Sequence, residues 1–196
     1  RYTIVRPTYL VGPGDDTDRF TYWPWRMSQG GDMLAPGTPD DPIQYLDVRD
    51  LARFVIACAT TPHRGVFNAC SPPGFATIGQ LLETSRDVTG ASTKVHWVDA
   101  EFLKAQGVLD GPGLPIWRPP FGPTAGAALV SSARAVAAGL RFTPLEDQAL
   151  RSRIDAETRA EIEALPGVTE VGGLGVSLLG ARVPGEGPRD LAAVAV

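Results

Sequence analysis

Hydrophobic positions along this chain switch between an alternating rhythm and a helical one. Residues 2–11 read YTIVRPTYLV. They are rich in β-branched and aromatic side chains, which suit a pleated, half-buried surface, and they predict one strand. Gly12-Pro13-Gly14-Asp15 ends it with turn chemistry. Residues 19–27, RFTYWPWRM, hold four aromatics in nine positions, a density that suits a cavity wall or a core cap better than a simple loop. A Gly/Pro/Asp-rich stretch, 30–42, leads to a second strand over 43–46. A helix follows over 47–60, with Asp47 or Asp50 as its N-cap and Leu51, Phe54, Val55 and Cys58 on one apolar face. Val66-Phe67-Asn68-Ala69-Cys70 reads as a third strand, 78–88 as a second helix capped by Thr77, 93–98 as a fourth strand and 101–106 as a short helix. An irregular segment occupies 107–126. Residues 131–138 form a helix capped by Ser131 or Ser132 and stopped by Gly139, and 145–165 form a last helix of mixed charge. From 167 onward the chain is Gly-rich without periodicity, which predicts a poorly ordered tail. Strands alternating with helices imply an α/β layered architecture.

Charge narrows the range of partners. The 18 Lys and Arg against 22 Asp and Glu leave a net charge of −4, with no basic surplus to bind nucleic acid. No apolar run approaches the about 20 residues that cross a bilayer, so no membrane partner is expected. Cys58 and Cys70 are the only cysteines. Two cysteines make neither a disulfide framework nor a four-ligand metal site, and free buried thiols in a reducing cytoplasm fit them. His63 and His96 stand far apart without companion ligands, so no metal is expected. Ser131-Ser132 lacks a base to activate a nucleophile.

Three ordered segments carry a family resemblance. They are Arg6-Pro7-Thr8-Tyr9-Leu10-Val11-Gly12-Pro13, Ile43-Gln44-Tyr45-Leu46-Asp47-Val48-Arg49-Asp50-Leu51-Ala52 and Gly65-Val66-Phe67-Asn68. In order and spacing they resemble the C-terminal half of extended short-chain dehydrogenases/reductases, the NAD-dependent epimerase/dehydratase family. The resemblance covers 1–142 and implies the C-terminal part of a Rossmann-type NAD(P)-binding fold with the small substrate-binding lobe. Residues 143–166 would then be a C-terminal helix and 167–196 a tail.

The resemblance also implies which parts of the family's machinery lie elsewhere. The family holds its dinucleotide on a Gly-rich strand-to-helix turn, where backbone N–H groups meet the pyrophosphate. No such turn occurs here, and Gly172-Gly173-x-Gly175 follows no strand–helix context. The family's catalytic Tyr-x-x-x-Lys pair is absent too: Arg6, Pro13, Arg26 and Arg49 stand four residues after the four tyrosines. No catalytic residue is therefore assigned. NAD or NADP belongs to a full-length parent, with no tight binding expected by this chain, and the expected partners are a small-molecule substrate and a missing N-terminal Rossmann half.

Pro7 and Thr8 match family positions whose backbone lies against the nicotinamide; as residues alone they also read as a rigid strand end. Tyr9, Arg19, Tyr22, Trp23 and Arg26 match substrate-facing positions, with a helix packing aromatics on the core as the other reading. Family members that act on nucleotide sugars carry an asparagine at the place of Tyr9, and many an arginine at the place of Ile43, to grip the diphosphate. Their replacement points to a small carbonyl or alcohol substrate instead. The alternative function is a non-catalytic binding or accessory module derived from the family.

Overall fold

The computed structural model of the protein describes residues 2–15, 17–61, 63–108, 114–152 and 164. The expected strand over 2–11 divides into β1 (Thr3–Pro7) and β2 (Leu10–Val11). Pro7 has no N–H to donate to a continuing ladder, and the chain changes partners there. β1 pairs in parallel with β6 (Gly65–Ala69), Thr3 opposite Gly65 through Pro7 opposite Ala69. β2 pairs in parallel with β5 (Leu46–Asp47). Between them Thr8 N–H donates to Ala69 O at 3.3 Å, and Tyr9 O accepts from Leu46 N–H at 2.9 Å.

The expected strand over 43–46 is likewise two pieces. β4 (Pro42–Ile43) runs antiparallel to β7 (Ala76–Thr77), and β5 follows after Gln44 and Tyr45. A strand absent from the sequence reading lies inside the Gly/Pro-rich stretch: β3 (Asp32–Pro36) pairs in parallel with β8 (Lys94–Val98). Its sequence, DMLAP, has no β-branched residue, and its pairing with β8 over five residues decides its conformation.

Helices fall close to expectation. α1 (Tyr22–Ser28) takes up the aromatic segment. α2 (Val48–Thr60) is capped by Asp47, whose side chain accepts from Arg49 N–H. Asp50, the other candidate, is buried and accepts the Thr143 N–H at 2.6 Å, tying α2 to the chain's return. α3 (Ile78–Thr89) opens on a capping box between Thr77 and Gln80 and ends at left-handed Gly90. α4 (Ala100–Ala105) and α5 (Ala133–Ala137) follow, Ser132 preceding α5 without a side-chain cap bond. Residues 145–152 are helical; the remainder of the expected 145–165 helix, apart from 164, and the expected tail lie outside the described residues.

Two hydrophobic cores result. Leu46, Phe54, Cys58, Phe67, Ala69, Ala135 and Leu140 join α2, β6 and α5. The larger core gathers α1, β3, α3 and α4 around Trp23, Met27, Met33, Ile78, Leu81 and Leu103. Both cysteines are free and buried. Val55 departs from the predicted apolar face: it is 45% exposed, beside Ile56 at 63%.

Asp47 also receives the Arg49 guanidinium through Nε at 2.8 Å and through Nη2. Burial opposes its charge, but these bonds and the Arg49 charge outweigh burial and hold the carboxyl below its ordinary value. A depressed acid contributes stability above its unfolded pKa of about 3.9 and loses it as pH falls through the folded value. Asp47→Ala is expected to cost about 1–2 kcal/mol in urea unfolding at pH 7. The gap from wild type should narrow progressively as the pH is lowered below about 4.

Candidate functional site

Parallel strands deliver their carboxyl ends to one edge, and ligands of open α/β sheets gather outside that edge. The carboxyl ends of β1 and β6 are Pro7 and Ala69. Pro7 is exposed and Thr8 half-buried there. The next residue, Tyr9, enters the wall of a cleft of ≈ 470 Å³ formed with Thr17, Asp18, Arg19, Tyr22, Pro115, Ile116 and Arg118. That volume lies in the about 300–1,000 Å³ range of small-molecule sites.

Electrostatics give the cleft its character. The guanidinium carbons of Arg19 and Arg118 each lie 5.6 Å from the centroid of the Tyr9 ring, within reach of cation–π attraction. Arg19 is partly neutralised by Asp15 at 3.3 Å, and its Nε is buried with no hydrogen-bond partner. Arg118 donates from Nη1 to Leu114 O at 3.4 Å and Trp117 O at 2.9 Å, and forms no ion pair among the described residues. A phenol ring flanked by two cations makes a surface suited to an anionic or strongly polar ligand.

The backbone is strained at the same place. Asp18 (φ 50°) and Ile116 (φ 69°) are the two non-glycine residues with positive φ among the described residues, and both line this cleft. Aspartate tolerates that conformation, but a β-branched residue there is an outlier. Trp117 N–H donates to Pro115 O at 2.8 Å, closing a three-residue turn with Ile116 at its centre. Strain of this kind persists where surrounding contacts over-determine it, and it concentrates at binding sites.

Trp23 supplies one of those contacts. Its Nε1–H donates to Pro115 O at 3.1 Å, and its ring is fully buried. Expected to face substrate, it instead lies behind the wall, because its apolar area belongs to the larger core and its one donor is engaged. Arg26 also lies off this cleft: its guanidinium donates to Gly30 O at 3.1 Å and to Asp32 O, at the carboxyl end of α1. Ile43 is buried opposite Ala76. Arg118 is the residue the sequence reading missed. It lies in the irregular 107–126 segment, 99 positions from Arg19, and no local pattern announces that the two meet over one ring.

Tyr45, one of the tyrosines followed by arginine, is a core residue. Burial, with the Asp47 charge adding, pushes its phenol far above the ordinary value. Its ring packs edge-on against Phe20 at 5.1 Å.

Solved structures share the fold. A GDP-L-fucose synthetase from Naegleria fowleri bound to NADP superposes with a TM-score of 0.57 at 17% identity, over 81% of this chain and 46% of that one. The RMD protein from Pseudomonas aeruginosa complexed with NADPH gives 0.55 at 19%, over 81% and 48%. A UDP-glucuronic acid 4-epimerase from Bacillus cereus in complex with NAD gives 0.54 at 15%, over 80% and 44%. No protein-family model matches the sequence, and neither does any curated protein. At these identities the likeness is one of fold: an α/β arrangement with the parallel pairing of Rossmann-type dinucleotide-binding structures. The chain spans a little under half the length of each of these structures.

Trp23→Phe tests the support of the strained turn. It removes the indole donor from Pro115 O, which keeps the Trp117 N–H, at an expected cost of about 0.5–1.5 kcal/mol for the lost hydrogen bond in thermal unfolding. Amide exchange at Trp117 should accelerate more than at α3 amides.

Proposed function

We propose that this chain is the substrate side of an NAD(P)-dependent oxidoreductase or epimerase, contributing the last strands of a nucleotide-binding sheet and a substrate lobe. The observation that carries the reading is the cleft opening at Tyr9, directly beyond the carboxyl end of the parallel β1–β6 pair. In this reading Pro7 and Thr8 lie against the nicotinamide, and Tyr9, Arg19, Tyr22 and Arg118 hold the substrate. The dinucleotide supplies hydride chemistry, and the protein's part is to orient the reacting groups. In this reading residues 1–142 form the dinucleotide-fold portion.

The complementary partner is an N-terminal Rossmann half. Exposed Ile4 on β1 and Tyr2 just before it, with Val55 and Ile56 on α2, support it, because parallel sheets are normally covered on both faces. Buried free thiols support a cytoplasmic setting. No described helix is long and apolar enough to cross a membrane.

The substrate reading is a small carbonyl or alcohol bearing an anionic group. Ile43, buried and apolar, offers nothing to a diphosphate, while the paired guanidiniums favour negative charge. A second reading, a nucleotide sugar, is favoured by Arg118, which approaches Tyr9 from a direction unrelated to Ile43. A non-catalytic accessory module is the alternative in the other class; a parent reading frame without a Gly-rich loop and Tyr-x-x-x-Lys would favour it.

Calorimetric titration of the chain with NAD(H) and NADP(H) is expected to give no dissociation constant of about 10 μM or tighter, since no Gly-rich turn receives the pyrophosphate. With the complementary half restored, a substrate panel should give turnover of small carbonyls or alcohols with one of the two cofactors. Efficient turnover of UDP- or dTDP-sugars with small carbonyls inert would establish the second reading instead.

A further inference from the structure

β1 has an open edge. Among the described residues it pairs with β6 on one side and with no strand on the other. The ladder decides which backbone groups face outward. Tyr2 O accepts the Gly65 N–H at 3.1 Å, and Thr8 N–H donates to Ala69 O at 3.3 Å. Backbone groups of successive strand residues alternate between the two edges, so the even-numbered residues serve β6. The N–H and C=O of Thr3 and Val5 therefore point to the open edge. Pro7 adds a carbonyl there but no N–H.

Side chains sort by the same alternation. Val5 packs against the smaller core. Tyr2, Ile4 and Arg6 lie on the other face and are exposed, Tyr2 at 68% and Ile4 at 44%. Native edge strands commonly carry charges that block further pairing. The β3–β8 pair is protected in this way: Asp32, Lys94 and His96 are exposed, and His96 Nε2 lies 2.6 Å from Asp32 Oδ1. β1 carries a cation at Arg6 alone.

The open edge is complementary to itself. In an antiparallel pairing across a twofold axis at Ile4, Thr3 of each copy lies opposite Val5 of the other, and each such pair exchanges both of its backbone hydrogen bonds. Ile4 faces Ile4 in the closely spaced, non-hydrogen-bonded position at the axis. Tyr2 faces Arg6 of the second copy, which sets a ring beside a guanidinium at both ends. Moving the axis to Val5 would set Thr3 opposite Pro7, which has no N–H, and Ile4 opposite a cation. The Ile4-centred register leaves no donor idle and matches each outward side chain.

We propose that the open edge of β1 binds the same edge of a second copy of this chain, joining two β1–β6 pairs into one continuous sheet. The inference does not rest on the functional reading above. A Rossmann half would occupy this edge in a parent; the chain on its own offers it to a second copy.

Analytical ultracentrifugation of this chain from about 1 to 100 μM tests it, with an expected monomer–dimer equilibrium and a dissociation constant on the order of 10 μM. No larger species should form, because a twofold pairing closes on itself. Ile4→Lys places like charges opposite each other at the axis and should weaken the dimer at least about tenfold. Arg6→Ala removes a contact made twice per dimer and should weaken it about tenfold. Both positions are exposed, so circular dichroism should show the fold retained. Leu34→Lys, at an aliphatic residue of β3 that is 42% exposed, should leave the dimer intact. A chain that is monomeric at about 100 μM, or that assembles beyond a dimer, overturns the proposal. So does a dimer that folded Ile4→Lys and Arg6→Ala leave intact, or one that Leu34→Lys disperses.

Discussion

Buried backbone groups must be satisfied where a chain passes from one core to another, and residues 44–46 meet that requirement for the whole molecule. The Gln44 side-chain amide donates to Ser71 O at 2.7 Å and Val130 O at 2.8 Å, and accepts the Val130 N–H at 3.2 Å. Tyr45 O accepts the Ser71 N–H at 3.1 Å, and Ser71 Oγ accepts the Tyr45 N–H at 3.3 Å. Leu46 then bonds Tyr9 and begins β5. These few residues fix the exit of β6, the approach to α5 and the position of Tyr9 relative to one another. Tyr45 faces the larger core and Leu46 the smaller one, so the same segment seats the two cores against each other.

The candidate site follows from that placement. Tyr9 is the last residue before β2, held by its carbonyl to Leu46, and it packs against the larger core. Arg19 reaches it from the segment leading into α1, and Arg118 from the loop after the strained turn at Ile116. The larger core holds Trp23, and Trp23 holds that turn. Packing energy in the core behind the cleft's wall thus maintains a backbone conformation the cleft needs, which is how strain at a binding site persists.

Much of the local structure was legible in the sequence. The caps at Asp47 and Thr77, the strand at 65–69, helices α2 and α3 and the burial of both cysteines follow from short-range chemistry: a side chain bonding its own helix end, or apolar residues at helical spacing. The alternation of strand and helix sufficed for an α/β fold. Strand divisions were not legible. YTIVRPTYLV reads as one strand because propensity is a property of each residue, whereas the change of partner after Pro7 depends on where Ala69 and Leu46 lie. β3 was hidden for the converse reason, its residues having little strand preference of their own until β8 lies beside them.

Of the site, the sequence by itself determined the residue types and their order: a phenol after a strand-ending proline, an arginine in an aromatic segment, and two positions without the groups that grip a diphosphate. Tertiary structure decided which of them meet. Tyr22 reaches the cleft at the start of α1, and Arg19 from the segment that leads into it. One helical turn on, Arg26 does not, because the carbonyls of Gly30 and Asp32 engage it. Trp23 was assigned to the core by its size, and Arg118 was brought to Tyr9 across more than a hundred residues. Such a meeting depends on the packing of two cores and has no local signature; the caps needed only their neighbours.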